Sequence, residues 1–215
     1  MLKRRKLKIS SQDLRYLLVF MVTTTIVASG VGYVVLNPPP SERFYAMYIL
    51  GSNGLAEHYY PNDDPDLAVG KPVNWTIGIY NHMGSLQYVV VRVKLLNSTL
   101  PSPNEMTGTP STVPPLFEFA RVLVDNETWS IPFVWKILNV SPSSRGLLVT
   151  GISINQVTLT GDLARAVSGF NYRFVFELWF YDGATNGLVF SWQTQSARYS
   201  VWTQIWFNVT STTSK

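Results

Sequence analysis

FNYRFVFELWFY, residues 170–181, alternates with a period of two: Phe170, Tyr172, Phe174, Phe176, Leu178 and Phe180 share one face. Asn171, Arg173 and Glu177 share the other with the less polar Val175, Trp179 and Tyr181. Successive side chains of a strand point to opposite faces, so this pattern marks a strand with one face in a core. The same reading extends outward along the chain. Toward the C-terminus, Val201, Ile205, Phe207 and Val209 alternate with Trp202, Gln204, Trp206 and Asn208. Upstream, residues 86–96 place Val89, Val91 and Val93 inward and Arg92 and Lys94 outward, and Trp75, Ile77 and Ile79 alternate with Asn74, Thr76, Gly78 and Tyr80.

Further strands are expected at Phe44–Leu50, 116–124, 129–135, 147–154 and 188–192. Ser52-Asn53-Gly54, His82-Met83-Gly84, Asp182-Gly183 and Asn186-Gly187 supply turn chemistry between them. Only 162–167, with Leu163, Ala164 and Ala166, has helical promise, and 97–115, with five prolines, reads as a long loop and a possible internal boundary. Strands about ten residues apart with turns between them predict an all-β fold, an immunoglobulin-like antiparallel sandwich. It is expected over 44–210, followed by a polar tail at 211–215.

A different physics governs the N-terminus. Residues 16–36, YLLVFMVTTTIVASGVGYVVL, carry no charge over 21 positions, and 21 helical residues span about 31 Å, the thickness of a bilayer core. Thr23, Thr24 and Thr25 are tolerated there because their hydroxyls bond back to carbonyls four residues earlier. Pro38, Pro39 and Pro40 stop the helix in a Pro-rich stem at 37–43. Lys3, Arg4, Arg5, Lys6, Lys8 and Arg15 precede the span against Asp13 alone, so residues 1–15 are expected in the cytoplasm and the sandwich outside the cell membrane. Two rivals compete: a cleaved signal peptide with Ala28 and Gly30 as its exit, and a pilin- or archaellin-like helix that polymerises.

The chain is 46% apolar and 13% aromatic, enough to build a core. It has no cysteine, which excludes a disulfide framework, thiolate catalysis and Cys-ligated zinc. Beyond the span, 11 Lys/Arg face 12 Asp/Glu, a balance of −1; the formal +4 comes from the tail, and no nucleic-acid partner is expected.

The stretch FYAMYILGSNGLAEHYYP and the later VGKPVNWTIGIYNHMGSLQYVVV resemble the DUF1616 family, a membrane-associated, largely archaeal group. The matching positions are Leu50, Gly51, Gly54, Ala56, Tyr60, Pro61, Val69, Gly70, Asn81, His82 and Gly84, and Met83 stands where the family pattern has Glu. The resemblance implies a sandwich ectodomain and supplies no catalytic residue. Physically, Gly51, Gly54, Pro61, Gly70, Asn81, His82 and Gly84 read as turn residues.

Other chemistry is sparse. Asn74, Asn97, Asn126, Asn139 and Asn208 each begin an Asn-x-Ser/Thr glycosylation pattern, and Asn97 and Asn126 are the expected acceptors because they fall in or beside loops. Asp63, Asp64 and Asp66 form the one carboxylate cluster, a weak calcium candidate. His58 and His82 would need a third ligand from that loop or Glu57 to hold zinc. No Gly-x-Ser-x-Gly elbow occurs, and no cofactor is expected. Trp179, Trp202 and Trp206 alternate away from the apolar stripe and are candidate interface aromatics. The resulting expectation is a non-enzymatic, single-pass surface protein with N-glycan acceptor sites, whose sandwich binds a protein partner or its own copy; a filament subunit and a surface carbohydrate-binding module or hydrolase are the alternatives.

Overall fold

Residue patterning and backbone pairing agree through most of the chain. A computed structural model describes residues 10–37, 42–194 and 197–210. The basic residues 3–8, the prolines 38–40 and the tail 211–215 lie outside the described residues. The chain divides into two units, 1–41 and 42–215.

In the first unit, helix α1 (Ser11–Leu36) begins five residues ahead of the uncharged run. Ser10 caps it: its side chain accepts from Asp13 N, and the Asp13 carboxylate accepts from Ser10 N, both at 3.1 Å. The hydroxyls of Thr23, Thr24 and Thr25 donate to the carbonyls of Val19, Phe20 and Met21 at 2.8–2.9 Å, so these three hydroxyls are satisfied within the helix. The helix is long and apolar enough to cross a membrane, and none of its residues is buried by protein.

The second unit is a β-sandwich. Its strands are β1 (Phe44–Leu50), β2 (Asp66–Ala68), β3 (Val73–His82), β4 (Gln87–Asn97), β5 (Phe117–Leu123), β6 (Thr128–Ser143), β7 (Gly146–Ile154), β8 (Val157–Ala166), β9 (Tyr172–Asp182), β10 (Gly187–Val189), β11 (Ser191–Gln193), β12 (Arg198–Ser200) and β13 (Trp202–Thr210). One sheet runs β1-β3-β6-β7-β8 and the other β2-β13-β9-β4-β5, with β10 added beside β9 and a separate β11–β12 hairpin. In the first sheet β6, β7 and β8 form a meander beyond β3. All pairs are antiparallel except β13 with β2.

Between the sheets lies an aromatic core. Trp75 stacks on Phe133 at 5.9 Å, and Trp135 touches Phe174 and Phe207 at 4.8 Å each. These come from β3, β6, β9 and β13, so both sheets contribute rings to one contact set. Such pairs add about 0.5–1.5 kcal/mol each beyond their burial. The inward stripe Tyr172, Phe174, Phe176, Leu178 and Phe180 is buried as its alternation predicts, and so are Val89, Val91 and Val93.

Four expectations need correction. Phe170 is half exposed rather than inward, because Asn171 adopts a left-handed φ of 64° and β9 starts only at Tyr172. Residues 162–166 finish β8 instead of forming a helix: Ala164, Arg165 and Ala166 pair with Val149, Leu148 and Leu147, and sheet pairing outweighs a weak helical propensity. Residues 188–192 are two short strands separated at Phe190, one pairing with β9 and the other with β12. Lys94, Arg173 and Glu177 do lie on the face away from the main core, yet all three are buried.

Residues 98–116 explain that burial. Lys94 Nζ lies 2.8 Å from Glu177 Oε2 and donates to the Ser111 carbonyl at 2.7 Å, while Ser111 N donates to Glu177 Oε1 at 2.8 Å. Arg173 donates to Ser102 Oγ and Gln204 Oε1 (2.7 and 2.8 Å) and to the Leu100 carbonyl (2.5 Å). The proline-rich segment is thus a cover clamped to the sheet, over a second apolar layer of Val90, Leu96 and Val175. Removing one member of a buried ion pair strands the other without its counter-charge. Lys94→Met should therefore lower stability by about 3–5 kcal/mol in denaturant unfolding, with new proteolytic nicks within 98–116 appearing before global unfolding.

Candidate functional site

His58 and its neighbours are built by a strained loop between β1 and β2. His58, Asn62 and Asp63 all hold positive φ angles. The His58 ring Nδ1 sits 2.8 and 2.9 Å from the two Asp63 carboxylate oxygens, and Glu57 lies 3.8 Å from Nε2. The hydrogen bond that Asp63 accepts, together with its negative charge, raises the His58 pKa above the ordinary 6.5. The remaining acids turn to other work: Asp64 accepts from Asp66 N at 2.9 Å, and Asp66 accepts from Asn208 Nδ2 at 2.6 Å. His82 lies elsewhere, its Nδ1 2.5 Å from Asn126 Oδ1 and its ring stacked 5.8 Å from Tyr80. Among the described residues no three His, Asp or Glu side chains gather as a metal site.

The turn motif is structural and specific. A Cβ on Gly51 would lie 1.8 Å from the Glu57 carbonyl, so hydrogen alone fits there. Gly54, Gly70 and Gly84 take φ values of 78°, 85° and 73°, and Pro61 opens a single 3₁₀ turn. Asn81 is fully buried. Its Nδ2 reaches the carbonyls of Ser85, Leu123 and Val124 at 3.0–3.2 Å, and its Oδ1 accepts from Met83 N at 3.1 Å. One amide side chain therefore stitches the β3–β4 turn to the β5–β6 turn. Gly84 N adds a bond to Asp125 at 2.8 Å.

The five acceptor asparagines fall into two groups. Asn97 Nδ2 donates to the Arg165 carbonyl at 2.6 Å while Oδ1 accepts from Thr99 and Leu100. Asn126 Nδ2 donates to Asp125 at 2.9 Å, and Asn208 bridges Asp66 to Asn171 N. Asn74 and Asn139 are exposed, and their amides have no hydrogen-bond partner among the described residues.

The three tryptophans do not form one open platform. Trp179 is half-buried, donates to Glu177 Oε2 at 3.0 Å and carries the Arg92 guanidinium 4.0 Å from its ring centre. Trp206 is 39% exposed with Arg173 4.6 Å above it, and Trp202 buries its indole nitrogen without a partner. An arginine on a ring face occupies the surface a sugar would stack on.

Sequence reasoning passed over two features. One is the Lys94–Glu177 clamp. Its trace was the unbroken apolar runs Val89-Val90-Val91 and Leu95-Leu96, since a strand buried on both faces loses its alternation. The other is a hollow of about 650 Å³ bounded by the β6–β7 turn, the segment around Phe170 and the end of β13. Nothing local in the sequence announces it, because three distant segments build it. In comparison with known proteins, no protein-family model matches the chain, and no curated protein matches it.

Two outcomes follow from this geometry. Asn81→Ala leaves three carbonyls and one N–H without their partner and should destabilise the sandwich by about 2–4 kcal/mol in chemical denaturation. A raised histidine pKa means the His58–Asp63 pair is complete below the ordinary value of 6.5 and is released as pH rises through the raised one. NMR titration should accordingly place the His58 midpoint above 6.5 in the parent and lower it in Asp63→Asn.

Proposed function

We propose that the chain is a non-enzymatic, single-pass protein of the cell envelope. In this reading α1 lies in the plasma membrane, the basic tail stays in the cytoplasm and the sandwich works outside, bound to another protein or to a second copy. The uncharged span and the six basic residues before it support the topology. On that topology Asn74 and Asn139, with free amides, are the favoured glycan acceptors. We keep the DUF1616 relationship as part of the proposal; the turn roles of Gly51, Asn81 and Gly84 give its motif a physical reason to exist.

One observation carries the interaction reading. At the edge of the β2-β13-β9-β4-β5 sheet, Leu86, Tyr88, Val122 and Val124 are 62%, 42%, 49% and 54% exposed. Tyr88 faces Val122 across the β4–β5 ladder, and Leu86 and Val124 flank the next pair, Gln87 and Leu123. Four large apolar side chains gathered on the edge strand β5 and its neighbour β4 form the kind of patch that proteins reserve for contact or guard against aggregation. Its place beside an edge whose far side is unpaired favours a protein surface as its cover.

Purification of the full chain from native membranes in mild detergent tests this. The expected result is a reproducible complex, or a dimer, that dissociates in Val122→Lys and Leu86→Lys while the unfolding temperature of each variant stays within a few degrees of the parent. Migration of the parent as a free monomer without partners would overturn the reading.

A further inference from the structure

We infer that one end of the sandwich is a binding site for an acidic saccharide, a sugar ring bearing a carboxylate. The end in question lies opposite the one where the chain enters the sandwich. Phe44 pairs with His82 at the entering end, and β4 runs from Gln87 beside it to Asn97 at the other. There the 650 Å³ hollow adjoins a second of about 290 Å³, and the two share Arg145, Val167 and Phe170. Their volumes fall in or near the range of small-ligand sites.

Charge sets this end apart. Arg145 lines both hollows and Arg165 lines the smaller. Neither guanidinium has a carboxylate within ion-pair range among the described residues, and no Asp or Glu lines either hollow. The arginines on the other strands are engaged: Arg92 on Glu118 and Arg121 on Glu127, each at 2.7 Å, and Arg173 and Arg198 on carbonyls of 98–116. Two free guanidiniums are the natural partner of a carboxylate, which they bind through paired hydrogen bonds.

The rest of the lining narrows the ligand. Phe170 and Val167 are 50% and 73% exposed and offer apolar surface to the C–H face of a sugar ring. Ser144 and Ser168 bring hydroxyls able to donate to and accept from ring hydroxyls, while Ser143 Oγ is held within the turn by the Gly146 carbonyl and Arg145 N. A bare inorganic anion would leave the apolar surface of Phe170 and Val167 unused, and a polyphosphate chain would find no basic track in a domain of balance −1.

The rim is held in place before any ligand arrives. A Cβ on Gly146 would lie 2.2 Å from the Ala166 carbonyl, and one on Gly169 would lie 2.3 Å from the Val209 carbonyl. Asn97 Nδ2 fixes the Arg165 carbonyl and Asn208 fixes Asn171 N, at 2.6 and 2.8 Å. A preset rim lowers the ordering cost of binding. The inference rests on the sandwich alone and is independent of the topology proposed above.

The test titrates the full chain in detergent micelles by calorimetry with a hexuronate trisaccharide, a neutral trisaccharide of the same linkage, and sodium sulfate. The hexuronate should bind, more weakly as salt rises. Arg145→Gln, in an exposed turn, should weaken it about tenfold, the worth of one charge-assisted hydrogen bond, and Phe170→Ser should weaken it as well without lowering the unfolding temperature. Absence of hexuronate binding, equal binding of the neutral sugar, or affinity unchanged by Arg145→Gln would each overturn the inference. So would sulfate competing equally with hexuronate in parent and Phe170→Ser alike, the signature of an adventitious anion only.

Discussion

A buried ion pair, Lys94 to Glu177 at 2.8 Å, organises one whole side of the sandwich. Two charges leave water at high cost, and they are tolerated because every remaining valence is satisfied. Ser111 gives its N–H to the carboxylate and its carbonyl to the ammonium, and the Trp179 indole takes the second oxygen. The partner backbone lies in the proline-rich segment, so the pair ties that segment to the sheet. Arg173 repeats the device further along β9 with Leu100 and Ser102. Without its cover, the outer face would present Val90, Leu96 and Val175 to solvent.

Cysteine is absent, so the sandwich relies on shape and hydrogen bonding. Between the sheets the fit is made by rings from β3, β6, β9 and β13. At the ends it is made by single amides. Asn81 joins two turns at the end where the chain enters, and Asn97 and Asn208 hold the opposite one. These asparagines share a glycosylation-like or family-like signature in the sequence, and their burial or bonding gives each a structural occupation of its own.

Much of this was legible beforehand, and the limits have physical causes. The alternation of 170–181 and the valines of β4 correctly placed the inner face, because period two is a local property of one strand. Thr23–Thr25 behaved as their hydroxyl chemistry requires. What alternation cannot report is what lies over the second face. Lys94 and Glu177 are 83 residues apart, and their meeting depends on the β4–β9 register and on where 98–116 comes to rest. Phe170 was misplaced for a smaller reason: one left-handed residue, Asn171, ends the strand's phase. The sites divide in the same way. Turn glycines and Asn81 were readable from local chemistry, whereas the Arg145–Arg165 hollow requires the β6–β7 turn, the β8–β9 crossover and the segment after β4 to converge.

The ladder between β1 and β3 carries a mechanical meaning. Its seven rungs, Phe44 with His82 through Leu50 with Thr76, start at the first residue of β1. A tug delivered to Phe44 along the strand and resisted at the opposite end loads all of those rungs in parallel, as in shearing a lap joint, rather than peeling them in succession. Traction on the chain ahead of Phe44 would thus meet the strongest mode of resistance a sheet can offer.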